Sequence, residues 1–329
     1  MRFFITGATG FIGTELIRFL HNKGFKIRIF CRPSSNTDVF GQIPVEIAYG
    51  DIRDLHSIEE GIKECDYIIH LAGYAKNWAK DPQTFYDINL HGLENLLKAA
   101  RKEGIKKTIL TSTCMVFGPS KQTAVNEKAN PLGDHLCEYQ HSKCEADKLG
   151  LSLDQDGIPV VIVHPTRVYG PGLLTEGNSV TLLIKNYIEG KWRFILSDGS
   201  AVGNYVFIDD VVQGIWKAFE RGNHGEKYIL GGENISYNEF YEIIASISHQ
   251  HLHMIHIPLW LAMAAARFQL FFAKYFGKYP LITPDWIRIF SIDWAFSSDK
   301  AQKELGYTIT PFKLGIEKTI KWLRSYQKK

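Results

Sequence analysis

Short β-branched and aliphatic runs alternate with longer stretches of helical periodicity through the first half of the chain. The runs "RFFITG", "KIRIFCR", "VEIAYGD", "YIIHLAG", "KTILTST" and "VVIVHPT" read as strands. Helical spacing occupies 13–23, 55–63, 84–103 and 138–153, and Leu93, Leu96, Leu97 and Ala100 recur on one face of the third stretch. Strands that are apolar almost throughout, such as "YIIHLA" and "VVIVH", suit a sheet covered on both faces. Strand and helix in strict alternation predict an α/β architecture, a doubly wound parallel sheet.

After about Gly170 the alternation breaks into the loop-like "YGPGLLTEGNS" and separate elements such as "GNYVFIDDVVQGIWKAFERG" and "GEKYILGGENISYNEFYEII". This predicts one domain over 1–170, to which segments around 201–230 return. The rest of 171–329 forms a smaller C-terminal substrate-binding lobe. No flexible linker separates the two, so a cleft between them is expected. The segment 258–280, "PLWLAMAAARFQLFFAKYFGKYP", is apolar and aromatic, but Arg267, Gln269 and Lys274 interrupt it too often for a spanning helix. It suits a helix over a cleft, a subunit contact, or a helix lying on a membrane surface.

Composition narrows the partners. The net charge is +3 over 329 residues, with no block of lysine or arginine, which argues against nucleic acid. Cys31, Cys65, Cys114, Cys137 and Cys144 are odd in number and contain no C-x-x-C pair, so a disulfide framework and a zinc ribbon are both disfavoured. A reducing cytoplasm is the expected location, and no signal peptide is visible at the N-terminus.

The first strand runs directly into "TGATGFIG", with Gly7, Gly10 and Gly13 spaced three apart before a helix. Such a turn gathers free backbone N–H groups and the positive end of the helix dipole at one point, which suits a pyrophosphate. Gly7, Thr9, Gly10, Phe11, Ile12 and Gly13 are therefore candidate dinucleotide contacts on a Rossmann-type sheet. An acidic residue that would read a ribose 2′-hydroxyl is absent between Gly24 and Thr37, and Arg32 stands there instead, beside Ser34 and Ser35. A guanidinium matches a 2′-phosphate, so NADP(H) is favoured and NAD(H) remains possible. Asp51 and Ile52 after the third strand are placed to read an adenine edge.

The "YQHSK" stretch sets Tyr139 and Lys143 one helical turn apart on one face. A phenol exchanges protons near neutrality only with help, and a neighbouring ammonium can lower its pKa. The strand "KTILTST" ends in the hydroxyls of Thr111, Ser112 and Thr113, any one of which could hydrogen-bond a carbonyl oxygen beside Tyr139.

The ordered set TGATGFIG, GDIRD, HLAG, INLHGLENLL, TSTCMVFG, YQHSK, HPTRVYGPG and VFIDDVV resembles the extended short-chain dehydrogenase/reductase family, the NAD-dependent epimerases and dehydratases, over nearly the whole chain. The resemblance implies a catalytic triad of Thr113, Tyr139 and Lys143, with Lys143 also holding the nicotinamide ribose. It further implies cofactor contacts from Leu71, Ala72, Gly73 and Pro165 and a homodimer through the helices at 84–103 and 138–153, and Asn89 matches the asparagine often found in the family's N-x-x-G segment. Nucleotide-sugar members carry an asparagine in their N-x-Y-G-P motif and an arginine before the "DFVYVDD"-like stretch. Here Arg167 and Gly203 stand at those two places. The chain is closer to the dihydroflavonol-reductase-like and 3β-hydroxysteroid-dehydrogenase-like branch, which implies reduction of a ketone, or oxidation of a secondary alcohol, on a rather apolar small molecule. A sugar epimerase or dehydratase with transient hydride transfer is the alternative, and a non-catalytic dinucleotide sensor a third.

Three other groupings invite chemistry and are read as structural. His251, His253 and His256 lack the further ligands of a metal site. Cys114 and Cys144 are expected to pack, and Asp209 and Asp210 to cap a helix.

Overall fold

The computed structural model describes residues 1–129, 135–155 and 157–326. In chain order its first half comprises β1 (Arg2–Thr6), α1 (Phe11–Asn22), β2 (Lys26–Cys31), β3 (Glu46–Tyr49), α2 (Leu55–Ile62), β4 (Tyr67–His70), α3 (Gln83–Tyr86), α4 (Gly92–Glu103), β5 (Lys107–Thr111), α5 (Glu138–Gln155) and β6 (Val160–Pro165). Then follow β7 (Arg167–Tyr169), α6 (Ser179–Ile188), β8 (Phe194–Leu196), β9 (Val202–Phe207), α7 (Ile208–Arg221), β10 (Lys227–Leu230), β11 (Glu233–Ser236) and α8 (Tyr237–Ser248). The chain closes with β12 (Ile255–Ile257), α9 (Leu259–Phe276), α10 (Pro284–Phe290) and α11 (Phe312–Tyr326).

Among the described residues the main sheet has seven strands in the order β10-β6-β5-β4-β1-β2-β3, and every neighbouring pair is parallel. All six strands expected from the apolar runs form, and β10 adds a seventh at the β6 edge. Alternating side chains feed two cores. Phe3 and Ile5 meet Leu16, Leu20, Val211 and Ile215 of α1 and α7 on one face. Phe4 and Ile68 meet Ile58, Ile62 and Leu96 on the other, where Leu93 and Leu97 also pack on Leu110 and Ile162. Burial of these aliphatic faces on both sides is what a near-continuously apolar strand requires.

Two local features depart from the expected pattern. The stretch read as one helix over 84–103 contains a π-turn at Asp87–His91 between α3 and α4, with Asn89 inside it. Extra residues of this kind often mark functional positions. Asp209 and Asp210 do not cap α7: the helix starts at Ile208, after Phe207, so both lie in its first turn. Asp210 instead accepts from the Thr310 amide and hydroxyl, each at 2.7 Å, and fastens the segment ahead of α11.

Strands β7, β9 and β11 form a second, three-stranded sheet, and β8 pairs with β12. Trp294 donates its amide to Val202 at 2.8 Å and bridges to Gly203. This brings the 284–296 segment against β9 and over the carboxyl end of the main sheet.

Candidate active site

The candidate residues converge at the carboxyl ends of β1, β2, β4, β5 and β6, around the point where strand order reverses beside β1. Ligands bind at this edge in doubly wound sheets. Gly7 has φ +70°, and a Cβ there would sit 2.5 Å from the Ala72 nitrogen and the Leu71 carbonyl carbon. Only glycine allows the turn to pass so close to the chain leaving β4. A Cβ on Gly13 would collide with the carbonyl oxygens of Gly7 and Ala8, so the first turn of α1 nests on the loop. Helix α1 starts at Phe11, which leaves the amides of Phe11, Ile12 and Gly13 without intrahelical acceptors. Thr9 and Gly10 complete that rim.

Beneath the loop, the Thr6 hydroxyl and His70 Nδ1 lie 2.7 Å apart, and the Ala72 amide donates to the same Thr6 oxygen at 3.2 Å. This latch ties Leu71, Ala72 and Gly73 to the glycine turn. Burial, reinforced by the Lys143 charge, pushes the His70 imidazole down to about 3.

At the far end, Arg32 is exposed after β2. Asp51 is engaged by Arg53, whose Nε and Nη2 donate at 2.9 and 2.7 Å. These hydrogen bonds, with smaller help from the Arg32 charge, hold the Asp51 carboxyl at about 2. Ile52 is buried against Gly92. The corner thus carries two guanidinium groups around one carboxylate, and Arg53 was not singled out in the sequence.

Tyr139 and Lys143 project from α5 toward the end of β5. Thr113 accepts the Met115 amide at 3.4 Å, and its hydroxyl, near the Tyr139 phenol, favours the phenolate. Burial outweighs this influence and raises the Tyr139 pKa. Lys143, 4% exposed, donates to the Thr111 carbonyl at 3.0 Å. Desolvation lowers its pKa, and Asp147 one turn further on opposes this. Asp147 in turn lies 2.7 Å from His164 Nε2. Pro165 closes β6 beside them.

Asn89 anchors the same helix from the π-turn: its amide donates to Ser142 Oγ at 2.9 Å and its carbonyl accepts the Tyr74 amide at 2.7 Å. Ser142 and Tyr74 carried no recognisable spacing in the sequence. The indole N–H of Trp286 on α10 is buried without a hydrogen-bond partner, and so are the hydroxyls of Thr111, Ser112 and Thr166 at the ends of β5 and β6. Unpaired polar groups gathered at a strand edge suit a polar ligand there. Together with the Gly7 turn and the open first turn of α1, they fit a nucleotide cofactor.

The ring of Tyr139 packs against an apolar cluster that includes Cys114, Phe117, Trp286, Ile289 and Trp294. Cys114 and Cys144 are buried, their thiols pushed up to about 12 by desolvation, which makes them packing groups. Beside Cys114 lies Arg167. Its Nη1 donates to the Tyr237 and Tyr205 hydroxyls at 2.8 and 3.3 Å. Its guanidinium carbon lies 5.5 to 5.6 Å from the rings of Tyr205, Tyr237 and Phe290. A Cβ on Gly203 would stand 2.5 Å from that Nη1. The arginine expected at 203 in nucleotide-sugar members is missing from the sequence, yet a guanidinium occupies the space over 203, supplied from 167.

Among the described residues no group of three His, Cys, Asp or Glu could hold a metal ion, and no helix is long and apolar enough to cross a membrane.

A glycine turn at the switch point of a parallel sheet, facing a Thr-Tyr-Lys group, defines a nicotinamide-dinucleotide-dependent oxidoreductase of the extended short-chain type. A sequence profile of the NAD dependent epimerase/dehydratase family matches residues 3–231, and the chain belongs to that family. It is 28% identical to a protein named as a dihydroflavonol 4-reductase from Synechocystis, over 98% of this chain and 95% of that one. It is 26% identical to 3β-hydroxysteroid-dehydrogenase/decarboxylase isoform 1 of Arabidopsis thaliana, over 96% of this chain and 78% of that one. The fold matches a dTDP-glucose 4,6-dehydratase from Streptomyces venezuelae solved with NAD, with a TM-score of 0.81 at 21% identity, covering 100% of this chain and 98% of that one.

Proposed function

We propose that the protein reduces a ketone, or oxidises the matching secondary alcohol, on a small and mostly apolar molecule, with NADP(H) preferred over NAD(H). The observation that carries this reading is Tyr139 packed against the apolar cluster of Trp286, Ile289 and Trp294, with Thr113 near its phenol and buried Lys143 one helical turn away, bonded to the Thr111 carbonyl. The loop residues Gly7, Thr9, Gly10, Phe11, Ile12 and Gly13 would hold the pyrophosphate, and Arg32 the 2′-phosphate. Asp51, Ile52, Leu71, Ala72, Gly73 and Pro165 would line the remainder, and Lys143 would hold the nicotinamide ribose. When bound, the nicotinamide supplies or takes up the hydride.

The chain's own residues manage the proton. Because burial raises the Tyr139 pKa, its phenol stays protonated near neutrality and can donate to the carbonyl oxygen during reduction. The Thr113 hydroxyl orients that oxygen, and the Lys143 charge favours the phenolate left behind. In the oxidative direction the same phenol must first ionise, so that rate rises toward alkaline pH. Residues 1–170 with 201–230 serve as the cofactor domain in this reading, and the remainder as the substrate lobe. A cytoplasmic homodimer joined through α4 and α5 belongs to the same reading.

Arg167 supports a second reading. A guanidinium over Gly203 with no carboxylate in ion-pair range among the described residues suits a sugar diphosphate, and hence an epimerase or dehydratase that reoxidises its cofactor within each turnover.

The test is a thermal-shift comparison of NADPH with NADH, followed by NADPH oxidation over ketones, flavonoids, steroids and nucleotide sugars. A carbonyl substrate with net NADPH consumption is expected, and Tyr139→Phe should lower its turnover by about 10²- to 10⁴-fold. Sugar product without net NADPH consumption selects the second reading, and near-wild-type turnover by Tyr139→Phe refutes the proton-transfer role.

A further inference from the structure

Helix α9 buries little of itself. Ala266 and Ala273 are its only buried residues, while Trp260 is 72%, Phe268 65% and Tyr275 72% exposed, and Leu281 just beyond is 85% exposed. Of the seventeen large hydrophobic residues exposed among the described residues, nine fall between Leu259 and Leu281. Its aromatic rings stack along the helix on one another: Phe268 on Phe272, Phe272 on Phe276 and Phe271 on Tyr275, at 4.6 to 5.1 Å. An apolar patch of this kind marks an interaction surface.

The charges beside it select the partner. No Asp or Glu occurs between Glu242 and Asp285, whereas Arg267, Lys274 and Lys278 lie within or next to α9. Pairing the surface with a second copy of itself about a two-fold axis would bring both sets of cations together without one carboxylate from this segment. An anionic lipid surface satisfies both halves of the pattern, since aromatic rings seat at the headgroup level and cations meet lipid phosphates. The helix does not qualify as a membrane span, so it would lie in the plane of the interface.

We infer that α9 and the loop to Leu281 form a docking surface for an anionic lipid bilayer. The surface is linked by contacts to the residues around Tyr139. Tyr279 meets Trp78 edge-on at 5.8 Å, and Lys76 sits over both Tyr279 and Tyr74. Tyr74 is the residue whose amide Asn89 holds beside the catalytic helix. Helix α10, packed against α9, carries Trp286 and Ile289 into the cluster at Tyr139. Docking therefore places the side of the protein that packs around Tyr139 toward the bilayer, within reach of apolar molecules dissolved there. The inference stands on this surface and does not depend on the reaction at Tyr139.

The full-length protein is floated with vesicles of phosphatidylcholine alone and with vesicles of phosphatidylcholine and phosphatidylglycerol in equal parts. Wild type should partition onto the anionic vesicles, and raised salt should release it. Arg267→Gln/Lys274→Gln/Lys278→Gln should weaken binding by on the order of a hundredfold, from about fivefold per cation. Trp260→Ser/Phe268→Ser/Tyr275→Ser, at solvent-facing positions, should lose binding to the anionic vesicles while keeping the wild-type melting temperature and NADPH thermal shift. Absence of wild-type binding to anionic vesicles overturns the inference. So does equal binding to both vesicle types. A dimer in light scattering that the serine variant converts to monomer would assign the surface to a second copy and overturn it as well.

Discussion

Acidification should loosen the latch beneath the glycine turn, and the size of the effect can be worked from one residue. His70 is buried against Thr6, and burial with the Lys143 charge takes its imidazole from 6.5 down to about 3. The folded chain therefore holds it neutral. Between those two pKa values the unfolded chain binds a proton that the folded chain refuses, so stability falls as pH falls through this window and is fully present above it. At about pH 5, roughly one and a half units below the unfolded value, the loss from this group is about 2 kcal/mol at ~1.4 kcal/mol per unit. At ~2.1 cal/mol/K per residue, a chain of this length has an unfolding entropy near 0.7 kcal/mol/K, so the melting temperature should drop by about 3 °C on this account. Other groups titrate too, so the comparison is with His70→Asn, which keeps a polar partner for Thr6 and does not ionise in the window. Melting temperatures are measured at about pH 7.5 and about pH 5 for both proteins. The wild-type drop should exceed that of His70→Asn by about 3 °C. Equal drops in the two proteins would show that His70 is not held neutral by the fold.

Three further outcomes follow from the site. Arg32→Ser should weaken NADPH binding by about 10- to 100-fold, the worth of a charge-assisted hydrogen bond, while NADH binding stays within about twofold; equal weakening of both would remove Arg32 from the 2′-phosphate. Gly7→Ala puts a Cβ against Ala72 and Leu71 at φ +70°, so the variant should melt lower and lose its NADPH thermal shift, and an unchanged shift would contradict the crowded turn. Gly203→Arg should destabilise the chain by forcing its side chain into the Arg167 guanidinium, and Arg167→Asn should relieve part of that loss. The double-mutant cycle should show coupling of about 1 to 3 kcal/mol, and additivity within about 0.5 kcal/mol would mean that the two positions do not meet.

Much of the framework was legible because its signals are local. Apolar runs bounded by turn residues located the six strands, and i, i+4 spacing placed Tyr139 and Lys143 on one helix face. Leu93, Leu96, Leu97 and Ala100 did reach the sheet side of α4. Local periodicity was blind to two kinds of feature. One is a small change of helical pitch: the π-turn that seats Asn89 leaves the hydrophobic period of 84–103 nearly untouched. The other is contact across sequence. Thr310 reaching Asp210, His164 meeting Asp147, and Arg167 leaning over Gly203 each join residues whose own neighbours announce nothing. The Asp51–Arg53 pair is different, because it is two residues apart and visible in "GDIRD". An adenine-edge reading of Asp51 overlooked that its carboxylate already has a cation.

The exchange of positions 167 and 203 also bears on what the cleft accepts. Read as a string, the chain has lost both polar groups with which nucleotide-sugar members hold a diphosphate. In space the cation is still present, but its surroundings differ. It is clasped by three aromatic residues, the rings of Tyr205, Tyr237 and Phe290 with the hydroxyls of the first two, which fix its position and leave its charge uncompensated by any carboxylate in range among the described residues. A guanidinium so held attracts an anionic or strongly polar group. The wall at Tyr139, built from Trp286, Ile289 and Trp294, gains most from apolar surface. A sugar ring seated at Tyr139 would press its hydroxyls against that wall and leave them largely unpaired, with the Trp286 N–H as one donor to share. A molecule with an apolar body at Tyr139 and one polar end at Arg167 would satisfy both environments, which would add a polar end to the mostly apolar substrate of the proposed reduction.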